Sequence, residues 1–190
     1  MKWPEIDFAL LKEVNPRTVG WIRLQDTPMD YPVVQGPDDS FYLTHNFSDE
    51  DSVHGCIYAR GNSTFPDRRC TLHGHAMQDG TMFVMLHRYY YDDGFFEEHR
   101  TIDLKTETGD YVIRVWGVAL LPPDCLFMTE LPVTQSYFDR WKTAIEKITP
   151  FDPGFELRIE DDIIALCTCR RLTPDGERGL MMVVGRVETV

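Results

Sequence analysis

Two cysteines one residue apart, two histidines one residue apart and a distant arginine are the residues of this chain whose types and spacing could do chemistry. Cys167 and Cys169 close the apolar run DIIALCTC, His73 and His75 lie in CTLHGHAM, and Arg178 precedes GLMMVVGRV. A thiol and an imidazole far apart in sequence suit nucleophilic thiol catalysis. The imidazole activates or balances the thiolate and later protonates a leaving amine, and a fixed cation stabilises the tetrahedral oxyanion. Cys169, His75 and Arg178 fit these three roles. A period of two places Leu166 and Thr168 on one face of their strand and Ala165, Cys167 and Cys169 on the other, with Cys169 at the last position. The following RRLTPDGE carries the turn signal Thr-Pro-Asp-Gly, so a hairpin is expected. In it Arg178 faces the region of Cys169, with opposed Cβ atoms roughly 5 Å apart. Arg170 and Arg171 then fall at the turn, outside the pairing.

Each residue alone has a plainer reading. A cysteine ending an apolar strand is more often inert core, a lone strand histidine a hydrogen-bonded surface group, and a lone arginine a solvated charge. Cys167, Cys169, His73 and His75 also make a Cys2His2 set suited to zinc. Both pairs have i, i+2 spacing, whereas structural zinc sites usually draw each pair from a tight turn or a helix, so no metal is expected. A Cys167–Cys169 disulfide across one residue of extended strand would be strained. Five cysteines are an odd number with no regular framework, which leaves at least one thiol free unless it pairs between chains.

The elements that must position these groups are mostly short strands. GWIRL, YPVVQG, GCIYA, CTLHGH, TIDLKT, DYVIRVWGVALL, FELRIE, DIIALCTC and GLMMVVGRV alternate with Gly, Pro and Asp clusters, the pattern of a β-barrel or sandwich. Residues 5–14 place Ile6, Leu10 and Val14 at helical spacing, and Asn15-Pro16 stops that helix. Two helical inserts are expected, over residues 80–90 and 134–148. The second shows Phe138, Trp141, Ile145 and Ile148 on one face, with Thr134 or Ser136 as its cap. No repeat or linker interrupts the chain, so residues 1–190 are expected to form one domain.

The chain has 31 acidic and 19 basic residues, a formal charge of −12, and no Lys/Arg run longer than two. Nucleic acid and anionic membrane surfaces are therefore poor partners, because phosphate binding needs a positive field. No run of about eighteen apolar residues is present to span a bilayer.

Residues 166–169, LCTC, resemble the Leu-x-Thr-Cys signature of sortases, the Gram-positive cysteine transpeptidases that attach proteins to the cell wall. The resemblance extends through NPRTVGWIRL (15–24), MDYPVVQGPDDSFYL (29–43), HGHAMQDGTMFVML (73–86) and FFEEHRTIDLKT (95–106). The opening helix, the Tyr-Pro-Val-Val-Gln segment and the long helix before the cysteine strand are most like class B. The resemblance implies an eight-stranded barrel with an N-terminal helix (1–15) packed on it and a helix inserted before the cysteine strand. It implies Cys169 as nucleophile, His75 as acid and base, and Arg178 as the arginine, with Cys167, Thr168, Leu43, Asp39 and Tyr137 along the substrate groove and no cofactor. Departures are His73 where the family usually has Tyr, Ala76 where it often has Asn, and Cys167 where class B often has Ser. The implied substrate is the sorting signal of a secreted protein, of Asn-Pro-x-Thr type. The implied acceptor is an amine of a peptidoglycan precursor or a pilin lysine. The implied place is the outer face of the cell membrane, with this chain as an ectodomain whose anchor lies outside it. The competing readings are a zinc-binding module and an inactive peptide-binding barrel.

Overall fold

The computed structural model describes residues 5–60, 69–122, 131–171 and 178–190, with backbone alone for 170, 171 and 178. The described helices are α1 (Phe8–Val14), α2 (Arg88–Tyr91), α3 (Phe95–Glu98) and α4 (Gln135–Glu146). The strands are β1 (Thr18–Arg23), β2 (Asp30–Gln35), β3 (Ile57–Ala59), β4 (Arg69–His73), β5 (Thr101–Thr106), β6 (Gly109–Leu121), β7 (Ile163–Arg171) and β8 (Arg178–Thr189). Two 3-10 turns, Phe41–Leu43 and Phe83–His87, complete the set.

The eight strands close into a barrel in the order β1-β2-β3-β4-β7-β8-β6-β5, the eight-stranded architecture expected from the sequence. The β2–β3 and β4–β7 joins are parallel and the other neighbours antiparallel. Alternation along the strands divides the apolar residues between two sides. Ile22, Val33, Ile57, Leu72, Leu104, Ile164, Leu166 and Val183 fill the interior. Ile163, Ala165, Met182 and Val184 face outward, where Phe138, Trp141 and Ile145 of α4 cover them. A third cluster, Val34, Tyr42, Cys56 and Tyr58, lies outside β2 and β3 under the first 3-10 turn.

Several expectations change. FELRIE is not a strand: the other eight close the barrel and leave no edge for a ninth. The segment instead lies over the outer face, inserting Leu157 into the cluster under α4, while Phe155 sits between the guanidinium groups of Arg114 and Arg186 at 4.5 and 4.6 Å. The first helix begins only at Phe8, because the Asp7 carboxylate caps it by accepting from the Ala9 and Leu10 amides. Leu10 and Val14 are exposed, the partly buried positions being Phe8, Leu11 and Lys12, and no residue of α1 is fully buried. The 80–90 insert is helical only from Phe83, as a 3-10 turn running into α2. Thr134 does precede α4, but its hydroxyl makes no capping bond. Among the described residues no helix is long and apolar enough to cross a membrane.

Candidate functional site

The β4–β7 join brings the distant residues together. His73 is the register partner of Cys167. Beyond that pair the Gly74 amide donates to the Cys167 carbonyl at 3.2 Å, and the Thr168 hydroxyl donates to the Gly74 carbonyl at 2.7 Å. Two parallel strands held in this way advance together, so His75 and Cys169, each two residues further on, leave the join at the same end of the barrel. Gly74 allows this close approach, because a Cβ would lie 2.4 Å from Ile57 Cδ1 and 3.0 Å from the Phe83 ring and would force those side chains to shift.

Cys169 is exposed, as a reactive thiol must be. The expected face alternation holds, since Leu166 points inward and Ala165 outward. Cys167, on the same outward face, is only 2% exposed, and burial pushes its thiol up to about 12, with the neighbouring Cys169 adding to the effect. It lies beneath the surface as a neutral thiol. Thr168 is also buried, its hydroxyl committed to Gly74.

His75 is half-buried, and its Nε2 lies 2.7 Å from the Leu43 carbonyl. A carbonyl only accepts, so Nε2 carries the hydrogen, and in the neutral ring Nδ1 holds the lone pair. The first 3-10 turn supplies this carbonyl. The Asp38 carboxylate starts the turn by accepting from the Ser40 and Phe41 amides at 2.7 and 2.8 Å, which holds Asp38 below the usual carboxylate range. Asp39 is exposed, and its carbonyl accepts from the Tyr58 hydroxyl at 3.0 Å. Gly55, at φ +63°, backs the other side, since a Cβ there would stand 3.3 Å from His75 Cδ2. Leu43 is itself partly exposed beside this ring. Tyr137, in the first turn of α4, packs half-buried against the cluster under that helix.

His73 has a different environment. It is buried against the Tyr58 ring, centroids 5.5 Å apart, and its Nε2 has no hydrogen-bond partner among the described residues. Burial, with a smaller contribution from Arg60, holds it neutral down to about 3. Among the described residues no three His, Cys, Asp or Glu side chains converge to hold a metal ion.

The register around Arg178 corrects the sequence reading. β7 runs two residues beyond Cys169, so Arg170 and Arg171 lie within the pairing and not at a turn. Leu180 is the partner of Cys169, and Arg178 that of Arg171. The Arg178 position is thus on the diagonal, a backbone spacing of roughly 7–8 Å, and not directly opposite. The Arg178 side chain lies outside the described residues.

One polar contact has no counterpart in the sequence reading: His87 Nε2 lies 3.0 Å from the Cys169 carbonyl. Inside GTMFVMLHRYY, His87 reads as one position on a helical face.

No family model matches the chain. It is 31% identical to sortase B of Listeria monocytogenes over 182 residues, covering 94% of this chain and 73% of that protein. It is 26% identical to sortase B of Staphylococcus aureus, covering 93% and 72%. A solved Staphylococcus aureus sortase B–substrate complex superposes with TM-score 0.84 at 24% identity, covering 96% of this chain and 85% of that one. A sortase B structure in complex with triglycine gives TM-score 0.84, also at 24% identity, with 96% and 86% covered.

Proposed function

The chain belongs to the sortase B family of cysteine transpeptidases, and from that premise we propose that Cys169 is its nucleophile, His75 its acid and base, and Arg178 its oxyanion cation. The observation that carries this reading is the β4–β7 join, which delivers an exposed thiol and a half-buried imidazole to one end of the barrel. The Leu43 carbonyl orients the imidazole as a third group orients the base in other nucleophile–base pairs, leaving Nδ1 for proton transfer. Cys169 passes its thiol proton to His75 Nδ1, and its Sγ attacks the threonine carbonyl of an Asn-Pro-x-Thr sorting motif. As the tetrahedral adduct collapses, the C–N bond breaks and the leaving amine takes the proton held by His75. An acceptor amine then attacks the thioester, His75 removes its proton, and the Cys169 thiol is restored. Arg178 is assigned to the negative oxygen of both adducts.

The acceptor is an amine of a peptidoglycan precursor or a pilin lysine. The triglycine complex of a sortase B supports an amine-bearing peptide in that role, and the substrate complex supports a peptide donor. The reading places the enzyme at the outer face of the cell membrane. Asp39, Leu43, Cys167, Thr168 and Tyr137 are assigned to the groove: Leu43 and Asp39 at its exposed rim, Cys167 and Thr168 beneath it.

The test is incubation with a mixed library of Asn-Pro-x-Thr and Leu-Pro-x-Thr peptides plus hydroxylamine, read by mass spectrometry. A hydroxamate from the Asn-Pro-x-Thr members is expected, and none from the Cys169→Ala variant. Absence of thioester and hydroxamate with the unsubstituted protein overturns the reading.

A further inference from the structure

We propose that His87 is a positioning residue that fixes the backbone of Cys169, an inference that rests on Cys169 being the nucleophile. Carbonyls two residues apart along a strand point to the same side. The Cys167 carbonyl points toward β4, where it accepts from the Gly74 amide. The Cys169 carbonyl points the same way, but β4 has ended at His73 and the chain is turning away. His87 Nε2 takes the place of the missing strand donor at 3.0 Å. The carbonyl accepts, so Nε2 carries a hydrogen, and it does so in either charge state of the ring.

The same segment carries the base at one end and this tether at the other. From His75 the chain forms a bridge between Ala76 and Met82, and the Phe83 amide donates to the His75 carbonyl at 2.8 Å. The Asp79 carboxylate closes the bend, accepting from the Thr81 amide and hydroxyl and pairing with His54 at 2.8 Å, contacts that hold it down at about 2. Met82, at φ +59°, turns the chain into the 3-10 turn, whose Phe83 and Leu86 are fully buried in the barrel interior. His87 is thereby anchored on the core while its ring reaches β7. The segment grips the nucleophile strand and presents the imidazole to it, so one rigid piece sets the distance between thiol and base.

The test compares His87→Gln, which retains an N–H donor at similar reach, with His87→Leu, which retains bulk without a donor. Steady-state cleavage of an Asn-Pro-x-Thr peptide and thermal melting are measured for both. His87→Leu is expected to lower kcat about 10- to 100-fold with KM changed less than about twofold, the size of effect a small misalignment of reacting groups produces. His87→Gln is expected to recover most of that loss, with melting temperatures of the two variants within about 2 °C. Equal kcat values for the two variants, or a loss carried by KM, overturn the tether. An inactive unsubstituted protein or a fully active Cys169→Ala variant overturns the nucleophile assignment instead, whatever the His87 variants do.

Discussion

His73 with Cys167 and His75 with Cys169 are the same two residue types two residues apart along the same two segments, the first pair within the β4–β7 join and the second just beyond the end of β4, and the barrel gives them opposite character. The first pair is sealed: His73 is held neutral down to about 3 and Cys167 is pushed up to about 12, so neither charges near neutral pH. The second pair stands where β4 has ended, with an exposed sulfur and an imidazole whose Nε2 is already bound to Leu43. The difference in exposure lies on either side of the point where β4 ends.

The largest effect that could break this contrast is on turnover. Cys169→Ala should lower transpeptidation by at least about 1,000-fold with the fold intact, whereas Cys167→Ala should retain activity within about tenfold and lose stability. A comparable loss from both, by hydroxamate assay and thermal melting, would remove the distinction. Labelling by iodoacetamide near pH 8, mapped by mass spectrometry, should favour Cys169 over Cys167 and Cys56 by at least about 100-fold, because the thiolate is the reacting species. Cys56, like Cys167, is buried and pushed up to about 12.

Stability in acid sharpens the same comparison at smaller scale. The unfolded chain protonates His73 near its ordinary value, and the folded protein resists until about 3. The stabilisation is therefore present above about pH 6.5 and lost as the pH falls toward 3, at up to roughly 1.4 kcal/mol per pH unit. Urea melts of His73→Phe between about pH 4 and 6 should show a shallower dependence than the unsubstituted protein; an unchanged slope would contradict the burial of His73. The smallest effect expected is from Tyr58→Phe. It removes one hydrogen bond, to the Asp39 carbonyl, and should cost about 0.5–1.5 kcal/mol in a denaturant melt.

The alternation in DIIALCTC was enough to place Cys169 on the outward face, because a paired strand obeys a period of two whatever surrounds it. That period could not distinguish Cys167 from Cys169, since it says which side a residue faces and not what lies over that side. Arg170 and Arg171 read as part of a turn because the Thr-Pro-Asp-Gly signal follows them so closely. Backbone pairing continues through both before that signal, and carrying β7 through them shifted the Arg178 position by two residues. FELRIE has a strand-like pattern that a closed barrel could not use, and it became a cover. His87 left no signal, because its reach to Cys169 depends on the φ of Met82 and a 3-10 turn inside a run that reads as one helix. Resemblance to a family could nominate Cys169 and His75, but not a contact made by a residue outside the quoted motifs.

The parallel join of β4 to β7 has a consequence in time as well as in space. A hairpin can form as soon as its second strand leaves the ribosome, but the Thr168 hydroxyl and the Gly74 carbonyl are 94 residues apart in the chain. Their meeting must await β7, the penultimate strand, and contacts of such long sequence separation form slowly. Until then the thiol and the imidazole belong to unconnected stretches of polypeptide. The join that carries Cys169 and His75 to one end of the barrel is thus among the last the nascent chain makes, and it arrives together with the closing of the barrel.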